Sequence, residues 1–131
     1  MTDGKKLVMD VMAALANGDD RPFLDAMHND MKWTWMGSGG LSRTFDGKES
    51  VLHELWKSVK TDIAQPFRVT ATLILAEGDY VVVEGVGNNK TPNGKEYNNQ
   101  YCWVMKICGG KIVELKEYMD TDLVRRTFSS E

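Results

Sequence analysis

The fold is decided by residues 94–121, GKEYNNQYCWVMKICGGKIVELKEYMDT, which predict two long strands folded against each other. From Lys95 to Ile107 the residues fall alternately into two sets, one for each face of a strand, and a period of two is typical of a half-buried strand. Gly109-Gly110 follows, and two glycines tolerate the positive φ angles that a tight hairpin turn requires. We therefore predict a return strand from Lys111 to Met119.

Glu117 is the anomalous residue of the return strand, because it shares a face with Val113, Leu115 and Met119. Burying a charge without a partner is costly, so an acid in such a position usually has a chemical role or a partner. An apolar wall disfavours the ionised carboxyl and raises its pKa, which is how a general acid or base is tuned to neutral pH. We predict this role for Glu117. The alternatives are a bulged strand or a salt bridge at a pocket rim.

The remainder of the chain predicts helices first and strands afterwards. The apolar spacing favours a helix over Asp3 to Ala16, a short helix around Pro22, a strand from Met31 to Met36 and a helix after Asp46-Gly47. Gly37 to Thr44 reads as a flexible connector. Beyond Pro66 we expect strands only, ending in one frayed helical turn after Asp120.

This order predicts an α+β domain covering residues 1–131. Three long antiparallel strands twist and curl. The expected shape is a cone: a strongly curved, antiparallel or mixed sheet whose concave face is covered by three N-terminal helices. Such a cone encloses a pocket at its open end.

Six side chains are predicted to line one wall of that pocket: Trp33, Trp35, Asn99, Tyr101, Trp103 and Met105. Indoles and a phenol suit a flat or ring-shaped apolar ligand, with Asn99 and Tyr101 as polar handles. The alternative is that these are simply core residues, and for Met105 and Trp103 it has at least equal weight.

Glu84 is the second candidate for chemistry, although both faces of its strand are largely apolar and leave its direction open. Pointing inward, it would meet Glu117 across the sheet, and two close carboxylates force one to keep its proton. Pointing outward, it is an ordinary surface or interface residue.

The opposite sheet face is too apolar to be fully hydrated, and we expect it to be covered in a symmetric homodimer. That face would carry Thr70, Thr72, Ile74, Cys102 and Val104.

The charge and composition of the chain limit the classes of partner and cofactor that we expect for it. The net charge is −3 and no basic cluster is present, so nucleic acid is not an expected partner. No stretch approaches the roughly 18 apolar residues of a membrane span, and we expect a cytoplasmic protein. Cys102 and Cys108 lie too far apart along one strand for a disulfide. With only His28 and His53 besides, no ligand set has metal-binding spacing, and we expect neither a metal nor a cofactor.

The whole chain resembles the SnoaL-like branch of the nuclear transport factor 2 superfamily. The motifs that carry the resemblance are DMKWTWMG at 30–37, Asp46-Gly47 before a helix, AEGDYVVVE at 76–84, GKEYN at 94–98 and GKIVELKEYMDT at 110–121. The resemblance implies the cone-shaped fold with its pocket. This fold hosts enzymes, binders and scaffolds alike.

Catalytic positions of known superfamily enzymes can be placed on this sequence. In the limonene epoxide hydrolase type, two aspartates and an arginine activate water. Those positions fall on Val86, Glu117 and Glu84, and the water-holding tyrosine and asparagine fall on Trp33 and Trp35. Only the carboxylate at Glu117 is shared.

Two other enzyme types of the superfamily can be placed on the sequence in the same way. In the ketosteroid isomerase type, the base position matches one of the short-strand tryptophans, and the oxyanion-holding acid lies near Trp103. For the polyketide cyclases of the SnoaL type, Glu117 is the closest counterpart of the pocket aspartate.

Two functions therefore follow as hypotheses. The first is a cofactor-free isomerase, cyclase or hydrolase that acts on an apolar ring compound. In it Glu117 transfers the proton, Glu84 tunes it, and Tyr101 and Asn99 orient a substrate oxygen. The second is a non-catalytic module for ligand binding or accessory dimerisation that uses the same pocket.

Overall fold

Six strands form one curved, unclosed sheet in a computed structural model that describes residues 2–40 and 42–128. The strands are β1 (Met27–Trp35), β2 (Arg43–Asp46), β3 (Val69–Glu77), β4 (Tyr80–Gly87), β5 (Gln100–Cys108) and β6 (Lys111–Met119). Their order across the sheet is β2-β1-β6-β5-β4-β3. The pair β1 and β6 is parallel and the other neighbours are antiparallel. The predicted α+β fold with a curved mixed sheet is confirmed.

The helices are α1 (Asp3–Ala16), α2 (Arg21–Asp25), α3 (Lys48–Ser50), α4 (Lys57–Asp62) and α5 (Thr121–Phe128). A π-helical segment, Val51–Trp56, joins α3 to α4. α1 packs across β3 and buries its apolar stripe there, which consists of Val8, Val11, Met12 and Leu15. No helix of the described chain is long and apolar enough to cross a membrane.

The hairpin of β5 and β6 forms as its sequence predicts. Both turn glycines have positive φ, 58° at Gly109 and 75° at Gly110, where a side chain would be strained. The parallel pairing with β1 brings Trp35 into register with Glu117, and the antiparallel pairing with β5 does the same for Trp103. Three strands therefore converge on one carboxylate.

Several predicted boundaries are wrong. β1 begins at Met27 rather than Met31, and β2 begins inside the segment predicted to be a connector and continues past its end. β2 is a four-residue edge strand, too short and polar to show a period of two. α5 has eight residues instead of one frayed turn, because Asp120 caps it and Val124 is buried.

A bulge in β3 changes which of its side chains face the core. The register shifts between Ala71 and Leu73, and a one-residue shift exchanges the two faces of a strand. Ile74 consequently packs against the core, while Leu73 and Leu75 are 41% and 55% exposed. The prediction that Ile74 lies on the outer face is wrong for this reason.

Candidate functional site

A cavity of about 270 Å³ lies between the helix-covered face of the sheet, the π-helical segment with α4, and α5. Its sheet wall carries Trp33, Trp35, Tyr101, Trp103, Glu117 and Met119. Its helical walls include Leu55, Trp56 and Val59 on one side and Val124 and Phe128 on the other. Ser58 and Asp62 line it as well and are exposed, so they mark its mouth.

Glu117 lies in this wall with only 5% of its surface exposed. Its two carboxylate oxygens each accept a hydrogen bond from an indole. Trp33 Nε1 donates to Oε1 at 3.1 Å, and Trp103 Nε1 donates to Oε2 at 2.8 Å. Each oxygen keeps a second lone pair, so the carboxylate can still accept a proton or a hydrogen bond from a ligand.

Burial sets the proton affinity of Glu117. Loss of hydration raises the pKa of this carboxyl to about 7, although the hydrogen bonds from Trp103 and Trp33 favour the ionised form and oppose the increase. The lining residues within 2–40 and 42–128 include no lysine, arginine or histidine that would hold the carboxylate ionised. Near neutral pH the group can therefore both take up and release a proton.

The indoles of the wall are fixed by their packing. Trp33 and Trp103 meet edge to face, with ring centroids 6.1 Å apart, and Phe23 contacts both. Trp56 Nε1 donates to Asp20 Oδ2 at 2.8 Å, which anchors the π-helical segment to the turn before α2. This aromatic wall is rigid because each ring has a ring or a hydrogen-bond partner behind it.

Two phenols supply the remaining polar groups of the wall. Tyr101 is buried, and loss of hydration raises its pKa well above the ordinary value for a tyrosine. Burial likewise raises the pKa of Tyr97, which also lines the cavity. Both hydroxyls consequently remain protonated at neutral pH. They hydrogen-bond to each other, so one hydroxyl proton of the pair is left to donate to an oxygen of a bound compound.

Asn99, predicted to contact the ligand, is fully buried and acts within the protein instead. Its Oδ1 accepts from the backbone N–H groups of Gln100 at 2.7 Å and Asp120 at 3.0 Å. Its Nδ2 donates to Tyr97 Oη at 2.9 Å and to the Asp120 carbonyl at 3.2 Å. These four bonds occupy the amide, tie the start of β5 to the end of β6 and position Tyr97.

Glu84 and Val86, also predicted as site residues, lie on the outer face of the sheet. Side chains of β4 alternate regularly between the two faces, and Val81 and Val83 point inward. Glu84 and Val86 have the opposite parity and therefore point away from the cavity. Glu84 pairs across the sheet with Cys102, whose side chain is on the same outer face. The prediction that Glu84 meets Glu117 is thereby corrected: the sheet separates the two carboxylates.

Several cavity residues were not predicted as site residues. Trp56 belongs to a helix face correctly predicted to point inward, and Met119 and Tyr97 share the parity of predicted wall residues. Those signals were present in the sequence. Val124 and Phe128 were missed because α5 was predicted to fray.

The chain matches a family model described as a SnoaL-like domain over residues 8–115. This match covers most of the chain, and the chain therefore belongs to the SnoaL-like family. A comparison with curated proteins finds no match.

Solved structures of low sequence identity share the fold. An NTF2-like protein of unknown function from Burkholderia pseudomallei is 23% identical, with a TM-score of 0.82, over 99% of this chain and 100% of the other. TerC co-crystallised with polyporic acid is 22% identical, with a TM-score of 0.79, over 98% and 100%. An LEH-like epoxide hydrolase from M. tuberculosis is 19% identical, with a TM-score of 0.72, over 95% and 91%.

Proposed function

We propose that this protein binds an apolar, ring-containing small molecule in the cavity and uses Glu117 as a general acid and base. It would be a cofactor-independent isomerase, cyclase or hydrolase. One observation carries the proposal: a carboxyl with a pKa of about 7 forms part of an otherwise aromatic cavity wall. Such a group is poised to remove a proton from one atom and return it to another.

The neighbouring groups fit the same chemistry. A base that removes a proton beside a carbonyl leaves negative charge on the oxygen, and a preorganised donor stabilises that charge. The Tyr101 and Tyr97 hydroxyls line the cavity together with Glu117 and remain protonated. Relatives in this fold include an LEH-like epoxide hydrolase and a putative SnoaL-like polyketide cyclase, which makes proton-transfer chemistry a reasonable expectation.

A second candidate function is ligand binding without turnover. It is favoured by the position of Glu84, because among the described residues the carboxylates left around the cavity are Glu117 and the exposed Asp62 at its mouth. TerC was crystallised with polyporic acid, so a ligand-bound form is known for a protein of this fold.

We also propose that the protein is a homodimer through the outer face of the sheet. Leu73, Leu75, Tyr80, Val86 and Tyr118 are each between 41% and 55% exposed. They lie on β3, β4 and β6, where their cross-strand partners include Val82, Glu84 and Lys106. An exposed face that carries several large apolar side chains is usually covered by a partner.

Deuterium exchange into a ring ketone distinguishes turnover from binding. In D₂O, a base in the cavity removes a C–H proton of beta-tetralone, the enolate forms, and a deuteron returns to the same carbon. We expect the wild-type protein to exchange these protons faster than buffer alone, as followed by proton NMR. Glu117→Gln, which has no titratable carboxyl, should reduce exchange to the buffer rate.

Two indole variants extend this experiment: Trp33→Phe tests the bond to Glu117, and Trp56→Phe is its matched control. Trp33→Phe removes a donor to Glu117 and should raise its pKa further, which moves the pH profile of exchange upward. Trp56→Phe removes a cavity indole whose N–H bonds to Asp20 instead, and should leave the midpoint of the profile unchanged. Saturable binding of the ketone without faster exchange would contradict the enzyme proposal and support the binding function.

A further inference from the structure

The charges around the cavity are all of one sign. Among the described lining residues the groups that can ionise are Glu117, Asp62, Tyr97 and Tyr101, and none of them can carry a positive charge. Glu117 receives two indole N–H groups but has no cationic partner. The cavity therefore becomes negative when Glu117 loses its proton, and nothing in its wall compensates that charge.

Aromatic rings, which tolerate a cation well, make up much of the rest of the wall. Aromatic faces carry negative charge density, and indoles attract cations most strongly. Four indoles, Trp33, Trp35, Trp56 and Trp103, line this cavity together with the two phenols. A cluster of such rings around a carboxylate is the chemistry that proteins use to bind quaternary and protonated amines.

We propose that the cavity selects ring compounds that carry a positive charge, such as an aryl ammonium or iminium group, over neutral compounds of the same shape, and that it rejects anions. The inference rests on the proposed function to the extent that Glu117 must face the ligand. It adds the class of substrate. A cation beside Glu117 also assists proton removal, because an adjacent positive charge acidifies the C–H bonds of the ligand.

The sign of the pH dependence follows from this arrangement. A permanently charged cation stabilises ionised Glu117, so its affinity rises as pH increases through the pKa of the free protein, about 7. In the part of the chain that the structure describes, the cavity-lining side chains of β1, the π-helical segment and α5 are uncharged. Tyr97 and Tyr101 from the β5 side stay protonated in this range, which leaves Asp62 of α4 as the other group to test.

Three probes of one shape and different charge test the proposal. Phenyltrimethylammonium chloride, tert-butylbenzene and benzenesulfonate each place a tetrahedral head group on a phenyl ring, with positive, zero and negative charge. Dissociation constants come from quenching of tryptophan fluorescence at about pH 5.5 and about pH 8.5, on either side of the Glu117 titration. At the higher pH we expect the cation to bind about tenfold more tightly than tert-butylbenzene, equivalent to one pKa unit of coupling, and benzenesulfonate to bind most weakly.

Carboxylate variants assign the preference to Glu117. Glu117→Gln should abolish the pH dependence and most of the preference for the cation. Glu84→Gln changes the net charge equally but lies on the outer face, and should retain both. Asp62→Asn, at the exposed mouth, should retain the pH dependence with a smaller loss of cation affinity.

Other outcomes would overturn the proposal. One such outcome is that tert-butylbenzene binds as tightly as the cation, or more tightly, at the higher pH. Another is that the affinity for the cation changes neither with pH nor with the Glu117→Gln substitution. Failure of all three probes to bind would also reject it. In each case the exchange of beta-tetralone protons, which involves a neutral compound, still decides the proposed function separately.

Discussion

Glu117 is less favourable in the fold when it is ionised than when it is protonated, because the burial that raises its pKa has no cation to offset it. The two indole N–H groups reduce this cost without removing it. A residue with this property is expected at a functional site more often than in a core whose only purpose is stability. The same residue gives the protein a pH-dependent stability that can be measured without any ligand.

The free energy of unfolding should fall as pH rises between the pKa of Glu117 in the unfolded chain and its pKa in the folded protein. Between the ordinary value of 4.5 and the folded value of about 7, the unfolded chain releases this proton and the folded chain keeps it. The unfolding free energy therefore decreases with pH by up to about 1.4 kcal/mol per pH unit from this group. Urea unfolding of wild type and Glu117→Gln at several pH values measures the slope.

The Glu117→Gln variant should lose this component and show a flatter profile across the same window. The lowered pKa values of Asp19, Glu54 and Asp122 act in the other direction: the stability that they contribute is lost as pH falls, below the Glu117 window. Identical slopes for wild type and variant would show that Glu117 does not titrate with a raised pKa.

At the scale of elements, the site depends on how the ends of β5 and β6 are held together. The hairpin turn fixes them at one end, and the Asn99 amide fixes them at the other. Because Asn99 also donates to Tyr97, the same side chain connects the sheet to the cavity wall. α5 begins directly after this point and closes the cavity with Val124 and Phe128.

Asn99→Ala should therefore destabilise the fold substantially. The change removes four hydrogen bonds and leaves part-buried backbone groups of Asp120 and Gln100 without their partner, at a cost of about 3 kcal/mol. Chemical denaturation measures the loss, and Asn88→Ala, at an exposed position of the same residue type, serves as the control. A loss no larger than that of the control would show that Asn99 is not a structural clamp.

At the scale of the whole molecule, the sheet divides the protein into two functional faces. One face, with the helices, encloses the cavity. The outer face carries exposed apolar side chains and Glu84. A homodimer through the outer face would leave both cavities free, since the mouth lies on the opposite side of the sheet.

Leu75→Glu should convert this dimer to a monomer. It places a charge among the exposed apolar side chains that β3 contributes to the outer face, where pairing two copies would bury it without a partner. Light scattering during size-exclusion chromatography reports the mass. Met9→Glu, an exposed apolar position on α1 away from the outer face, should leave the mass of the wild type unchanged. A monomeric wild-type protein would contradict the dimer.

Most of the fold was predictable because its signals are local. Alternation along residues 95–119 and the two turn glycines specify the hairpin, and helical spacing specifies α1. The predictions of strands and strand faces failed where pairing with distant segments overrides the local pattern of apolar residues. β2 exists because β1 offers it hydrogen bonds, and the β3 bulge reverses the face of Ile74 without any mark in the sequence.

By itself the sequence determined that a carboxylate at Glu117 lies in line with apolar side chains, because strand parity is a property of adjacent residues. It determined the inward tryptophans for the same reason. Only the tertiary structure decided which groups meet that carboxylate: two indoles, and not Glu84. Contacts between strands depend on register and on the direction in which each strand turns its faces, and those are fixed by packing across the whole sheet.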